Sequence, residues 1–124
     1  MKPARKILIV EDEVSLTNIL YDKFVLEGYD VIKALDGKDG LQLALSELPE
    51  LILLDVNMPV MDGITMLKEL RKAPAGKNIE VIMLTNFSDY KLLAEALELG
   101  AHDYLVKSDW KLEDVVKLVH DKLK

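Results

Sequence analysis

Short unbroken apolar runs alternate along the chain with stretches in which apolar residues recur every three or four positions. KILIV (6 to 10), LILLDV (51 to 56), EVIML (80 to 84) and DYLV (103 to 106) are of the first kind. Runs of that length read as strands covered on both faces, as in a parallel sheet. YDVIKA (29 to 34) supplies a further strand, placed at a sheet edge. Of the second kind, Leu112, Val115, Val116, Val119 and Leu123 follow the i, i+3, i+4, i+7, i+11 stripe of a helix with one buried face. Leu41, Ala44, Leu45 and Leu48 repeat it up to Pro49, and Leu93, Ala96 and Leu97 repeat it before Gly100. Residues 14 to 27, ending at Gly28, and 64 to 73, ending before Pro74, are the other two helices, and APAGKN (73 to 78) reads as a turn.

The order is βαβαβαβαβα. Such alternation calls for right-handed crossovers and a doubly wound α/β sheet with helices on both faces. For five strands the expected fold is flavodoxin-like, a parallel sheet in order 2-1-3-4-5 with five helices. Its 124 residues suit one domain spanning 1–124, and no internal repeat, linker or low-complexity tract suggests an output domain beside it. Half the residues are hydrophobic and 31% are charged, a globular balance.

A net charge of -6 without a basic run argues against a direct grip on nucleic acid. Absence of cysteine excludes a disulfide framework and thiolate metal sites. The apolar run in MKPARKILIV gives way to EDE too soon for a signal-peptide core or a bilayer span, so no membrane contact and a cytoplasmic location are expected. Neither His102 nor His120 has metal-ligand spacing to other candidates, and both are expected on the surface. Trp110 is expected to pack over the start of the last helix.

Ligands of open α/β sheets sit beyond the carboxyl ends of the strands, where the winding direction switches. The residues at those ends are Glu11 and Asp12 after the first strand, Asp55 on the third, Thr85 on the fourth and Lys107 on the fifth. With the switch between strands one and three, Glu11, Asp12 and Asp55 share one crevice. Like charges a few ångströms apart repel by roughly several kcal/mol at intermediate dielectric, and a divalent cation is the simplest remedy. So few carboxylates, with no extended loop of oxygen ligands, suit Mg²⁺ better than Ca²⁺. An ammonium, a hydroxyl and a metal around a carboxylate describe a phosphoryl site in which Asp55 is the nucleophile. The apolar strand is then a rigid mount for that carboxylate.

At these residues the chain resembles the receiver domain of two-component response regulators. The likeness runs from Lys6 to Leu123 and rests on VEDE (10 to 13), LLDVNMPVMDG (53 to 63), MLTN (83 to 86) and GAHDYLVK (100 to 107), in that order. The resemblance implies that Asp55 accepts a phosphoryl group from a sensor histidine kinase or phosphotransfer protein. It implies Mg²⁺ held by Asp12 directly, by Glu11 through water, by Asp55 and by the backbone carbonyl of Asn57. Lys107 would pair with phosphoryl oxygens, Thr85 would donate its hydroxyl to one of them, and Tyr104 would rotate inward as Thr85 is drawn over. Met58 and Pro59 would shape the loop and a kinase-docking surface, with Gly63 permitting the turn into the third helix.

An acquired charge of about -1.5 to -2 would capture the donors and bias a bistable loop. The readout face implied is the fourth helix, fifth strand and fifth helix, toward an output protein or domain or a phosphorylation-dependent homodimer. Such a protein would catalyse only its own phosphoryl acceptance and autodephosphorylation.

Two positions depart from the family pattern. Asn86 stands where a small residue is common, and either narrows the pocket rim or adds a hydrogen bond to phosphate. Ser108 replaces a proline that commonly follows a cis bond; a cis bond before a non-proline residue costs about 2.5 to 4 kcal/mol, so a trans bond and a strained loop both stay open. Asn86 and Phe87 are read as setting phosphoryl lifetime. Two rivals compete: a haloacid-dehalogenase-like phosphatase, which needs a second Asp where this chain has Asn57, and a degenerate receiver acting as a phosphorylation-independent binding module.

Overall fold

In the computed structural model, which describes residues 4–86 and 90–124, the apolar runs pair as one parallel sheet in the order β2-β1-β3-β4-β5. The strands are β1 (Lys6–Val10), β2 (Asp30–Ala34), β3 (Leu51–Asp55), β4 (Glu80–Thr85) and β5 (Asp103–Val106). Between and after them lie α1 (Val14–Leu26), α2 (Gly37–Glu47), α3 (Gly63–Lys72), α4 (Tyr90–Glu98) and α5 (Leu112–Lys122). The expected strand order, with β2 at one edge, is therefore the observed one, but β5, read as covered on both faces, forms the other edge and none of its residues is fully buried. Among the described residues no helix is long and apolar enough to cross a membrane.

The pleat sorts the central strands' side chains into two cores, because successive residues point to opposite faces. Leu8, Val10, Ile52, Leu54, Val81 and Met83 pack on one face beneath Ala44 of α2, Leu67 of α3 and Ala96 of α4. Ile7, Ile9, Leu51, Leu53, Ile82 and Leu84 pack on the other beneath Leu20 and Phe24 of α1 and Val115 and Val119 of α5. Covered on both faces, these strands need no polar alternation, which is why they read as unbroken runs.

The boundaries differ where local chemistry outweighs periodicity. Helix α2 starts at Gly37, ahead of its apolar stripe, because the Asp36 side chain accepts the Asp39 N–H at 2.9 Å. Helix α3 starts at Gly63 behind a similar cap, Asp62 accepting the Thr65 N–H at 2.8 Å. Pro74–Gly76 tightens the expected turn into a short 3₁₀ helix. Both Gly37 and Gly63 sit where a Cβ would lie 2.1 Å from a carbonyl oxygen, that of Met61 and that of Asp55 respectively. The β3–α3 loop is thus wedged between the end of β3 and the start of α2.

Two expectations at the two ends of α5 are refined. His120 is exposed, as expected, yet its Nδ1 lies 2.6 Å from the Tyr29 hydroxyl and its Nε2 3.3 Å from a Glu27 oxygen. Trp110 packs its half-buried ring on the α1/α5 core.

Val60 carries a strain the sequence does not announce. Its φ is 68°, and its side chain is 78% exposed on the β3–α3 loop. A branched residue in the left-handed region meets the carbonyl crowding that glycine escapes, at about 1–2 kcal/mol. Val60→Gly is expected to stabilise the fold by about 0.5–1 kcal/mol after the entropy of a freer unfolded chain is deducted. Urea unfolding monitored by circular dichroism checks this; a lower midpoint would show that the loop does not hold Val60 under strain.

Candidate functional site

Three strand ends converge to build the site. Strand β1 stops at Val10, and Glu11 turns off the sheet edge with its N–H still bonded to the carbonyl of Ala34, at 3.1 Å. Strand β3 ends on Asp55, paired in register with Leu84. Beyond β5, the Lys107 N–H donates to the Thr85 carbonyl at 2.8 Å, carrying the ladder one residue past the strand. These backbone bonds aim the side chains before any side-chain contact is made.

Glu11, Asp12 and Asp55 each offer a carboxylate oxygen within 4.8 Å of the others. Glu11 and Asp55 are buried, at 0% and 3% exposure, while Asp12 is exposed. The Lys107 ammonium stands 2.5 Å from Glu11 Oε1 and 3.0 Å from Asp55 Oδ2. The Glu13 N–H donates to Glu11 Oε2 at 3.0 Å, and the Asn57 N–H to Asp55 Oδ1 at 3.3 Å. Among the described residues Glu11 Oε1 has no donor beside it beyond that shared ammonium.

Burial pushes the Glu11 carboxyl up to about 7, with the Asp55 charge adding to the rise and Lys107 and the Glu13 N–H opposing it. Burial also raises Asp55, against hydrogen bonds from Glu11, Lys107 and the Asn57 N–H. For Lys107 burial acts downward, but Glu11 and Asp55 outweigh it and hold the ammonium above its usual range. Two buried acids therefore compete for one cation.

The donor set fits a hard divalent cation. Three carboxylates against one ammonium leave a formal deficit of two positive charges, and the buried Glu11 Oε1 must share that ammonium with Asp55. Oxygen donors alone, few in number and open to water through Asp12, match the coordination habit of Mg²⁺.

The remaining candidates are placed as follows. Thr85 is buried at the end of β4, but its hydroxyl donates to the Asn86 carbonyl at 2.8 Å rather than to the acid cluster. A buried hydroxyl needs an acceptor, and that carbonyl supplies one. Asn86 and Asn57 are exposed beside the cluster, and Phe87 lies outside the described residues. Tyr104 is 51% exposed and borders a cavity of about 270 Å³ with Met83, Leu97 and Ala101. Among the described residues no peptide bond is cis, so the Lys107–Ser108 bond is trans.

One residue of the site is not evident from motif or strand-end position. Thr17, 1% exposed on α1, donates its hydroxyl to the Glu11 carbonyl at 3.0 Å. Its trace in the sequence is a polar residue at a core position of the Thr17, Leu20, Phe24 stripe.

A family model for the response regulator receiver domain matches residues 7–120. The chain belongs to the response regulator receiver domain family. This receiver domain is 44% identical over 102 residues to "Probable transcriptional regulator ycf27" of Porphyridium aerugineum, covering 82% of the chain and 41% of that protein. It is 42% identical over 103 residues to the alkaline phosphatase synthesis transcriptional regulatory protein PhoP of Bacillus subtilis (strain 168), covering 83% of the chain and 42% of that protein. The chain thus spans about two-fifths of the length of both relatives. Among solved structures, the chemotaxis response regulator CheY4 of Vibrio cholerae superposes with a TM-score of 0.88 at 30% identity, covering 96% of the chain and 98% of that structure. The receiver domain's acid cluster and Lys107 fall within the matched span.

Proposed function

We propose that this receiver domain is a phosphorylatable switch whose acceptor is Asp55. The observation that carries the reading is the Asp55 carboxylate, buried at the end of β3 with Lys107 Nζ 3.0 Å away and two further acids beside it. A carboxylate oxygen of Asp55 attacks phosphorus of a phosphohistidine on a sensor kinase or phosphotransfer protein. The P–O bond forms, the P–N bond breaks, and the imidazole departs with the electron pair. Glu11, Asp12, Asp55 and the Asn57 carbonyl would hold Mg²⁺, which supplies charge neutralisation for the incoming phosphoryl oxygens.

Lys107 is already poised to exchange carboxylate for phosphoryl oxygen. The Thr85 hydroxyl, now on the Asn86 carbonyl, can swing to the phosphoryl group, and exposed Tyr104 can turn into the cavity beside it. That couples the site to the face formed by α4, β5 and α5, the surface read by an output protein or domain or by a second copy. Asn86 and Phe87 set access of water and hence phosphoryl lifetime. The domain acts on no substrate other than its own phosphoryl group.

Intact-protein mass after incubation with acetyl phosphate and Mg²⁺ tests the reading. The expected result is a gain of one phosphoryl group that a chelator prevents. No gain in folded, Mg²⁺-bound protein would replace the switch by a phosphorylation-independent binding module.

A further inference from the structure

A threonine inside a helix ordinarily returns its hydroxyl to a carbonyl three or four residues back. Thr17 does not: its hydroxyl passes beyond the start of α1 and donates to the Glu11 carbonyl, 3.0 Å away, while its own N–H donates to Glu13. The Glu11 side chain in turn accepts the Glu13 N–H, and the Glu11 N–H is held by Ala34 of β2. Residues 11, 13 and 17 thereby close a ring of hydrogen bonds around residue 12. Asp12 sits inside that ring, exposed and, among the described residues, with no side-chain hydrogen bond or ion pair of its own. Its position relative to Glu11 and Asp55 is set by the turn alone.

We infer that Thr17 is a positioning residue for the cation site, its buried hydroxyl locking the Glu11–Asp12 turn so that Asp12 points at the same point in space as Asp55. The inference rests on the proposed reading of the acid cluster as a Mg²⁺ site. Outer partners that hold ligand-bearing backbone commonly change metal affinity by 10- to 100-fold when removed. The remaining ties on the turn, through Ala34 and Glu13, place the expected effect at the lower end.

The test is a Mg²⁺ titration followed by nuclear magnetic resonance of backbone amides, on the wild type, Thr17→Val, Thr17→Ser and Thr17→Cys. Val keeps the shape without the hydroxyl, Ser keeps the hydroxyl, and Cys offers a weaker donor. Thr17→Val is expected to raise the Kd about tenfold, Thr17→Ser to stay within about twofold of wild type, and Thr17→Cys to fall between them. Should Thr17→Val fail to fold, the Ser and Cys comparison carries the same test, because neither leaves the site without a donor. A Thr17→Val Kd equal to wild type, or Ser as weak as Val, would overturn the inference and leave Thr17 as a core hydroxyl only. A wild type that binds no Mg²⁺ would instead overturn the cation reading itself, and this inference with it.

Discussion

Asp55→Asn is expected to gain no phosphoryl group from acetyl phosphate under conditions where the wild type is modified. The amide matches the carboxylate in shape but has no anionic oxygen with which to attack phosphorus, and it removes one of the three carboxylates of the acid cluster. Misfolding is not the expected cause of the loss. Asp55 is buried with a carboxyl raised by that burial, so neutralising it relieves a desolvation cost while the Asn57 N–H keeps an oxygen acceptor. The metal-free variant should therefore unfold at no lower urea concentration than wild type. A phosphoryl gain that survives the substitution would move the acceptor to another carboxylate, with Glu11 the first to examine.

The second large effect is on stability. Glu11→Gln should stabilise the metal-free protein at pH 8 by about 2 kcal/mol and reduce the loss of stability between pH 5 and pH 8. Glu11 titrates at about 7 in the fold against 4.5 unfolded, so from 4.5 to 7 the folded state binds the extra proton. Folding free energy linked to that proton is fully present below pH 4.5 and is lost as pH rises through about 7. A tenfold difference in proton affinity between the folded and unfolded chain is worth about 1.4 kcal/mol. Sharing of the Lys107 ammonium with Asp55 keeps the net effect below what Glu11 would show in isolation.

Saturating Mg²⁺ is expected to reverse the ranking, because a ligand at 100 times its Kd adds about 2.7 kcal/mol to the form that binds it. Urea unfolding at pH 5 and pH 8, in chelator and in Mg²⁺, separates these cases. A chelated wild type as stable at pH 8 as at pH 5 would show that the buried acids carry no such cost.

Both effects come from one arrangement. Two carboxylates, Glu11 and Asp55, are buried side by side at a cost to the fold, which makes the fold responsive to whatever neutralises them. Lys107 alone cannot do this, since Glu11 and Asp55 divide its charge. The strain at Val60 lies in the loop that follows Asp55, so stability is given up there too, on the segment that frames the pocket.

Short buried runs and 3.6-residue stripes make the elements and their alternation legible from local pattern, and alternation with right-handed crossovers leaves few sheet orders. That is why Asp55, Glu11, Asp12, Thr85 and Lys107 are legible in the sequence as residues of one sheet edge. Pattern carries no information on side-chain direction beyond the strand ends. Only the folded backbone shows that Lys107 spans Glu11 and Asp55, that the Thr85 hydroxyl rests on Asn86, that Thr17 reaches back to Glu11, and that the bond before Ser108 is trans. Helix α2 began early for a related reason, a single Asp36 cap outweighing a missing apolar stripe. Which residues reach the carboxyl edge of the sheet was settled in the amino-acid order, because strand and helix periodicity is a local property. Which of them touch was settled by the assembled sheet, because those contacts join side chains on separate strands whose spacing and tilt exist only once the strands have paired.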